Sequence, residues 1–159
     1  MLTTSPTVKK NAALSQVESG KWDIVIGDNG DISSDDSWDT DIYIALFADR
    51  RADKSEIAAP ERRRGWAGDE YSTETDYYIG SKLWLLEQAR LTSKTVAKAK
   101  NYVHTALSVF VDRGRCQRVG VAARTIRLET LEITAKFYVD ENLIKSYTFR
   151  MWENSKYAN

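Results

Sequence analysis

The chain has 159 residues and a mass of 18.1 kDa, the size of one ordinary domain, and a chain of this size buries roughly two thirds of its unfolded surface. A hydrophobic fraction of 42% with 29% charged residues excludes a wholly disordered or fibrous chain. The formal net charge is zero, but residues 1–80 hold 9 basic and 16 acidic side chains and residues 81–159 hold 14 and 7; this balance argues against the concentrated basic excess of a nucleic-acid binder and suits either neutralisation within the fold or head-to-tail association.

Residues 1–20 are rich in Ser, Thr, Lys and Ala without sustained periodicity, which predicts a flexible arm that orders on a partner. No apolar run there resembles a signal sequence, and no later segment approaches the roughly 18 apolar residues of a membrane span; a cytosol-like compartment is expected. Trp22, Ile24 and Ile26 alternate with Asp23 and Val25 ahead of Gly27, Asp28, Asn29 and Gly30, a pattern for a short hairpin. Asp39 and Thr40 then offer N-caps to Ile42–Ala48, apolar nearly all round, which predicts a buried first helix.

The connection from Asp49 to Gly80 carries Pro60, Gly65 and Gly68, and a loop this long in a compact domain is usually functional or disordered. Ser81 is placed to cap a second helix bearing Leu83, Trp84, Leu85, Leu86 and Ala89. Thr92 or Ser93 caps a third, whose Val96, Ala99, Val103, Ala106, Leu107 and Phe110 share one face before Gly114 stops it. From Arg118 the period becomes two: Val119, Val121 and Ala123, then Leu131, Ile133, Ala135, Phe137 and Val139, with a turn at Asp140–Asn142 and a last strand from Leu143 to Trp152. The expected fold is α+β, with three helices packed on one face of a C-terminal three-stranded antiparallel meander and a short N-terminal hairpin. The expected organisation is an arm over residues 1–20 and a single domain over 21–159.

Catalytic signatures are weak. His104 is the only histidine and Cys116 the only cysteine, and no strained nucleophile turn accompanies either. The acids Asp28, Asp31, Asp35, Asp36, Asp39 and Asp41 crowd together but lack the register, glycine and closing glutamate of a calcium loop. No glycine-rich phosphate loop follows an apolar strand. Glu61, Asp69, Glu70, Glu74 and Asp76, near Trp66, leave a carboxylate pair for glycoside hydrolysis as the alternative. Arg62, Arg63 and Arg64 beside Trp66 fit a protein interface better than nucleic acid, because Arg and Trp dominate interface hot spots and the neighbouring acids oppose phosphate.

Three segments in order carry a resemblance: Ala45-Leu46-Phe47-Ala48-Asp49-Arg50-Arg51-Ala52, Arg63-Arg64-Gly65-Trp66-Ala67-Gly68-Asp69, and Gly80-Ser81-Lys82-Leu83-Trp84-Leu85-Leu86. Together they resemble the small baseplate wedge protein family of Mu-like contractile-tailed phages, over about Trp22 to Trp152. Asp49-Arg50-Arg51 stands where distant relatives, the small wedge subunits of other contractile systems, carry a Glu-Pro-Arg-like motif. Ala67 stands where the family signature has a second tryptophan. The resemblance implies a non-catalytic structural subunit in the virion tail baseplate, assembled in the host cytoplasm. Its implied partners are larger wedge subunits and sheath, tube or spike hub proteins, with no cofactor, metal or nucleic acid. The interface residues expected on this basis are Arg50, Arg51, Arg63, Arg64, Gly65, Trp66, Gly68 and Asp69. Some distant relatives were assigned lysozyme-like activity, which keeps a peptidoglycan-cleaving tail enzyme as the alternative.

Overall fold

The computed structural model describes residues 11–12, 14–18, 21–35, 38–59, 62–70, 78–87, 89–127 and 130–151. The backbone divides into two compact units, 1–44 and 45–159.

In the first unit, β1 (Asn11–Ala12) pairs antiparallel with β4 (Ser34–Asp35), and β2 (Leu14–Glu18) pairs antiparallel with β3 (Lys21–Ile24). Strand structure therefore begins within the stretch that composition assigns to the arm. The reversal at Gly27–Gly30 is found: the Gly27 amide donates to the Asp31 carbonyl at 2.8 Å, and Ile26 bridges to Ile32. Gly30 has φ +80°, a value that favours glycine over any residue with a Cβ. The ladder of β3, however, runs back to β2, because Leu14–Glu18 supplies a longer partner than the two-residue β4.

Helix α1 (Asp39–Phe47) places Asp39 and Asp41 in its first turn, favourable for the helix dipole. Ile42, Ala45 and Leu46 are buried, but Ile44 and Phe47 are about 44% and 43% exposed. The all-apolar reading of a buried helix is thus corrected: in so short a helix the i, i+3, i+4 set forms one covered face, and the other apolar positions stay outside it.

In the second unit, α2 (Ser93–Leu107) is capped by Thr92, whose hydroxyl accepts from the Thr95 amide at 3.2 Å. One further helical turn, Val109–Asp112, follows a break at Ser108, and Gly114, at φ +68°, ends it. The sheet is β5 (Arg118–Arg127), β6 (Thr130–Val139) and β7 (Asn142–Met151), in sequence order and antiparallel throughout. The meander is as the alternation predicts. Val119 faces Phe137, and Ile133 faces Ala123 on one side and Phe149 on the other. Phe110 stacks edge-on against Phe137 at 5.4 Å, Phe137 against Tyr147 at 6.2 Å, and Phe47 against Phe149 at 5.6 Å. Val103 and Leu107 of α2 and Leu131, Ile133 and Phe137 of β6 are fully buried, each worth about 1.5–3 kcal/mol of transfer.

On the opposite face Glu132 of the central strand binds Arg124 of β5 at 2.6 Å and Arg150 of β7 at 3.5 Å. The two arginines cover it, which explains an 8% exposure on the outward side.

The three-helix expectation is corrected. Only α1 and α2 exceed a single turn among the described residues, and the segment after Ser81 is one 3-10 turn, Leu83–Leu86. Its cause is local. The Ser81 hydroxyl donates to the Leu46 carbonyl at 2.6 Å while it accepts from the Leu83 amide at 3.2 Å, so it ties the turn to the end of α1. Leu83 and Leu86, both buried, sit at the i, i+3 spacing that a 3-10 turn aligns.

Candidate functional site

Three chain segments meet beyond the end of α1. Asp49 bridges in parallel to Ser81, with the Arg50 amide donating to the Ser81 carbonyl and the Ser81 amide to the Ala48 carbonyl, each at 2.9 Å. The Ala52 amide donates to the Arg63 carbonyl at 3.0 Å, and the Arg63 Nε donates back to the Ala52 carbonyl. Ala52 itself is fully buried.

Two glycines allow this approach. Gly80 has φ +89°, and a Cβ there would lie 2.2 Å from the Ala48 carbonyl oxygen. Gly65 has φ +109°, and a Cβ there would lie 2.7 Å from the Cβ of Arg51. Both positions need a residue without a side chain for conformation and for space.

The expected interface arginines separate into two groups. Arg50, Arg51 and Arg63 line a cleft of about 220 Å³ with Asp53, Tyr78 and Lys82. The Arg50 guanidinium lies 5.3 Å from the centre of the Tyr78 ring, within cation–π range. Arg64, at φ +47°, is engaged elsewhere: its guanidinium pairs with Asp49 at 3.2 Å and Glu87 at 3.3 Å, and it stacks 4.7 Å from the Trp84 ring centre. Trp84 in turn donates its indole Nε1–H to the Arg50 carbonyl at 2.8 Å.

Lys82 closes one side of the cleft. Its ammonium contacts Asp53 and Glu56, each at 2.7 Å, with only 17% of its side chain exposed. Hydrogen bonding and charge from Lys82 hold the Asp53 carboxyl below the ordinary range. Burial pulls the Lys82 pKa down, but the combined hydrogen bonds and charges of Asp53 and Glu56 raise it above the ordinary lysine value. Burial, reinforced by the Glu56 charge, also raises Tyr102. Tyr102 and Lys82 line a second hollow of about 140 Å³ with Arg50, Gly80, Ser81, Thr105 and Ala106.

Trp66 is 54% exposed. Its carbonyl accepts from the Asp69 amide at 3.1 Å at the start of the 3-10 turn Ala67–Glu70, which includes Gly68. Asp69 accepts the Ile79 amide on Oδ1 at 3.3 Å, while its buried Oδ2 has no hydrogen-bond partner among the described residues. Of the acids considered for glycoside hydrolysis, Glu61, Glu74 and Asp76 lie outside the described residues, and only the Asp69 side chain is described. Sequence reasoning missed Tyr78, Lys82 and Trp84 as parts of this site. Trp84 was legible in the third motif, where an indole N–H beside buried leucines calls for a polar partner.

The family model described as Phage protein GP46 matches residues 38–142, from the first helix through the second sheet strand and across all the residues above. The chain belongs to the GP46 family. A relative in this group, the Baseplate protein gp46 of Escherichia phage Mu, is 35% identical over 133 residues, covering 82% of this chain and 89% of that protein. The resemblance to Mu-like baseplate proteins read from the three motifs is therefore borne out, and the GP46 match contains each of them. No helix among the described residues is long and apolar enough to cross a membrane.

Proposed function

We propose that this GP46-family chain is a non-catalytic structural subunit of a contractile phage tail baseplate wedge, docking to larger wedge proteins and to the sheath, tube or spike hub. The reading places it in the virion tail baseplate after assembly in the host cytoplasm. Similarity to the Mu baseplate protein over most of both chains supports the baseplate role. The observation that carries docking is the exposed Trp66, held by the same glycine-spaced loop that lines a cleft with Arg51 and Arg63. A large aromatic and guanidinium groups on one rigid support are the usual anchors of a protein interface. In this reading Arg50, Arg51, Arg63 and Trp66 meet the partner, Gly65 and Gly68 shape the loop, and Arg64 and Asp69 hold it.

The test is co-assembly of purified chain with the larger wedge protein of the same phage genome. Trp66→Ala is expected to keep the far-UV spectrum and melting temperature of the parent and to weaken incorporation at least roughly tenfold, as a central hot spot does. Equal incorporation of variant and parent would refute the docking role of Trp66.

A further inference from the structure

The cleft contains more hydrogen-bond donors than the described residues satisfy. Arg63 commits its Nε to the Ala52 carbonyl, and its two terminal nitrogens have no acceptor among the described residues. The Arg50 guanidinium rests on Tyr78 and likewise has no acceptor among them. Asp53 could have answered both, but it is held by Lys82 at 2.7 Å. Arg64 is the contrast, since Asp49 and Glu87 already take its fork.

We infer that the cleft between Arg50 and Arg63 receives an aspartate or glutamate side chain of a partner protein, and that Arg64 takes no part in that contact. A carboxylate offers two coplanar acceptors that match a guanidinium fork, and such charge-assisted pairs are stronger and more directional than neutral hydrogen bonds. A volume of about 220 Å³ accommodates one acidic side chain with a little water. Tyr78, 44% exposed, supplies an apolar wall for its methylenes. The inference rests on the docking reading above and narrows it to one chemistry and one part of the surface.

The probe is the peptide acetyl-Gly-Asp-Gly-Glu-Gly-amide, titrated into the full chain and followed through the arginine Nε–H signals by nitrogen-15 NMR. Saturable shifts are expected at Arg50 and Arg63, with Arg64 unmoved and no response to the Asn/Gln isostere of the peptide. Arg63→Lys keeps the charge but loses the fork, and it is expected to weaken binding roughly tenfold. Unsaturable shifts of similar size at Arg113, Arg115 and Arg118 would mean generic charge attraction and overturn the inference. So would binding that appears only in Glu74→Gln/Asp76→Asn, because the chain's own acids would then fill the cleft. Co-assembly with the larger wedge protein separates the two levels. If Arg50→Gln/Arg63→Gln incorporates normally while Trp66→Ala does not, the carboxylate cleft is wrong and docking stands. If both incorporate normally, both readings fail; loss in both, with the peptide response, supports both.

Discussion

The Trp84 indole holds the Arg50 carbonyl at 2.8 Å with its edge and carries the Arg64 guanidinium on its face at 4.7 Å. One side chain thus fixes the backbone beneath one arginine and the head group of another. Trp84→Phe keeps much of the ring but removes the donor, leaving a partly buried carbonyl without its partner. The expected cost is about 1–2 kcal/mol in urea unfolding, with a smaller fall in co-assembly than Trp66→Ala causes. Unchanged stability would show that the Nε1 contact contributes nothing.

Gly80→Ala should be among the most damaging small substitutions in the chain. Its Cβ would sit 2.2 Å from a backbone carbonyl oxygen, which no side-chain rotation relieves, and the positive φ adds strain. A loss of about 3 kcal/mol or more is expected. Gly65→Ala meets the side chain of Arg51 at 2.7 Å and should cost about 2 kcal/mol, with a visible change at the cleft. Thermal unfolding of the two variants side by side checks the order.

Lys82→Met should lower stability at pH 7 by about 1 kcal/mol, mostly through Glu56, because Asp53 is 68% exposed and screened by solvent. The pH dependence follows from the folded-state pKa lying above the ordinary lysine value of 10.5. The folded form binds the proton more tightly than the unfolded chain, so the contribution is full below that value and is lost as pH rises through the folded pKa. Tyr102, raised in the same way by burial, adds to the alkaline loss. The parent should therefore lose stability above about pH 10 more steeply than Lys82→Met.

Asp140 and Glu141 form a two-residue turn between Val139 and Asn142 with φ +46° and +62°, the geometry in which Asn-Gly is preferred. Glu141 gives up only an exposed 3.4 Å contact with Arg118. Glu141→Gly is expected to raise the melting temperature by about 1–3 °C; a decrease would mean that the turn is not under strain.

Glu132 governs the acid side. Hydrogen bonding from Arg124, with help from Arg150, holds its carboxyl below the ordinary glutamate value of 4.5. Its contribution is therefore present above that value and lost as pH falls through the folded pKa. Glu132→Gln should be less stable than the parent at pH 7 and converge with it as the pH falls through the folded pKa, as followed by chemical unfolding at each pH.

The sheet was legible because its signal is local. Leu131, Ile133, Ala135 and Phe137 alternate with polar residues over one unbroken run, and a face that must meet a core leaves no other register of sides. The third expected helix was legible for the same reason, through Thr92 and the spacing of Ala99, Val103 and Ala106. Ser81 misled because an N-cap and a tertiary hydrogen bond use the same hydroxyl, and Leu46, its true partner, lies 35 residues away. The candidate site was half legible. Residue types marked Arg63 and Trp66, and the motif resemblance added Arg50 and Arg51, but the separation of Arg64 from the cleft depends on Asp49, Glu87 and Trp84 converging across distant segments.

Alternation alone cannot distinguish a correct sheet from one displaced by two residues, since both keep apolar side chains on the same side. Glu132 can. With Arg124 opposite it on one strand and Arg150 on the other, a two-residue slip of β7 would set Glu132 against Thr148 and leave Arg150 without its acid. A single carboxylate in the central strand acts as an alignment pin for both hairpins, rejecting the misthreadings that hydrophobic burial would accept.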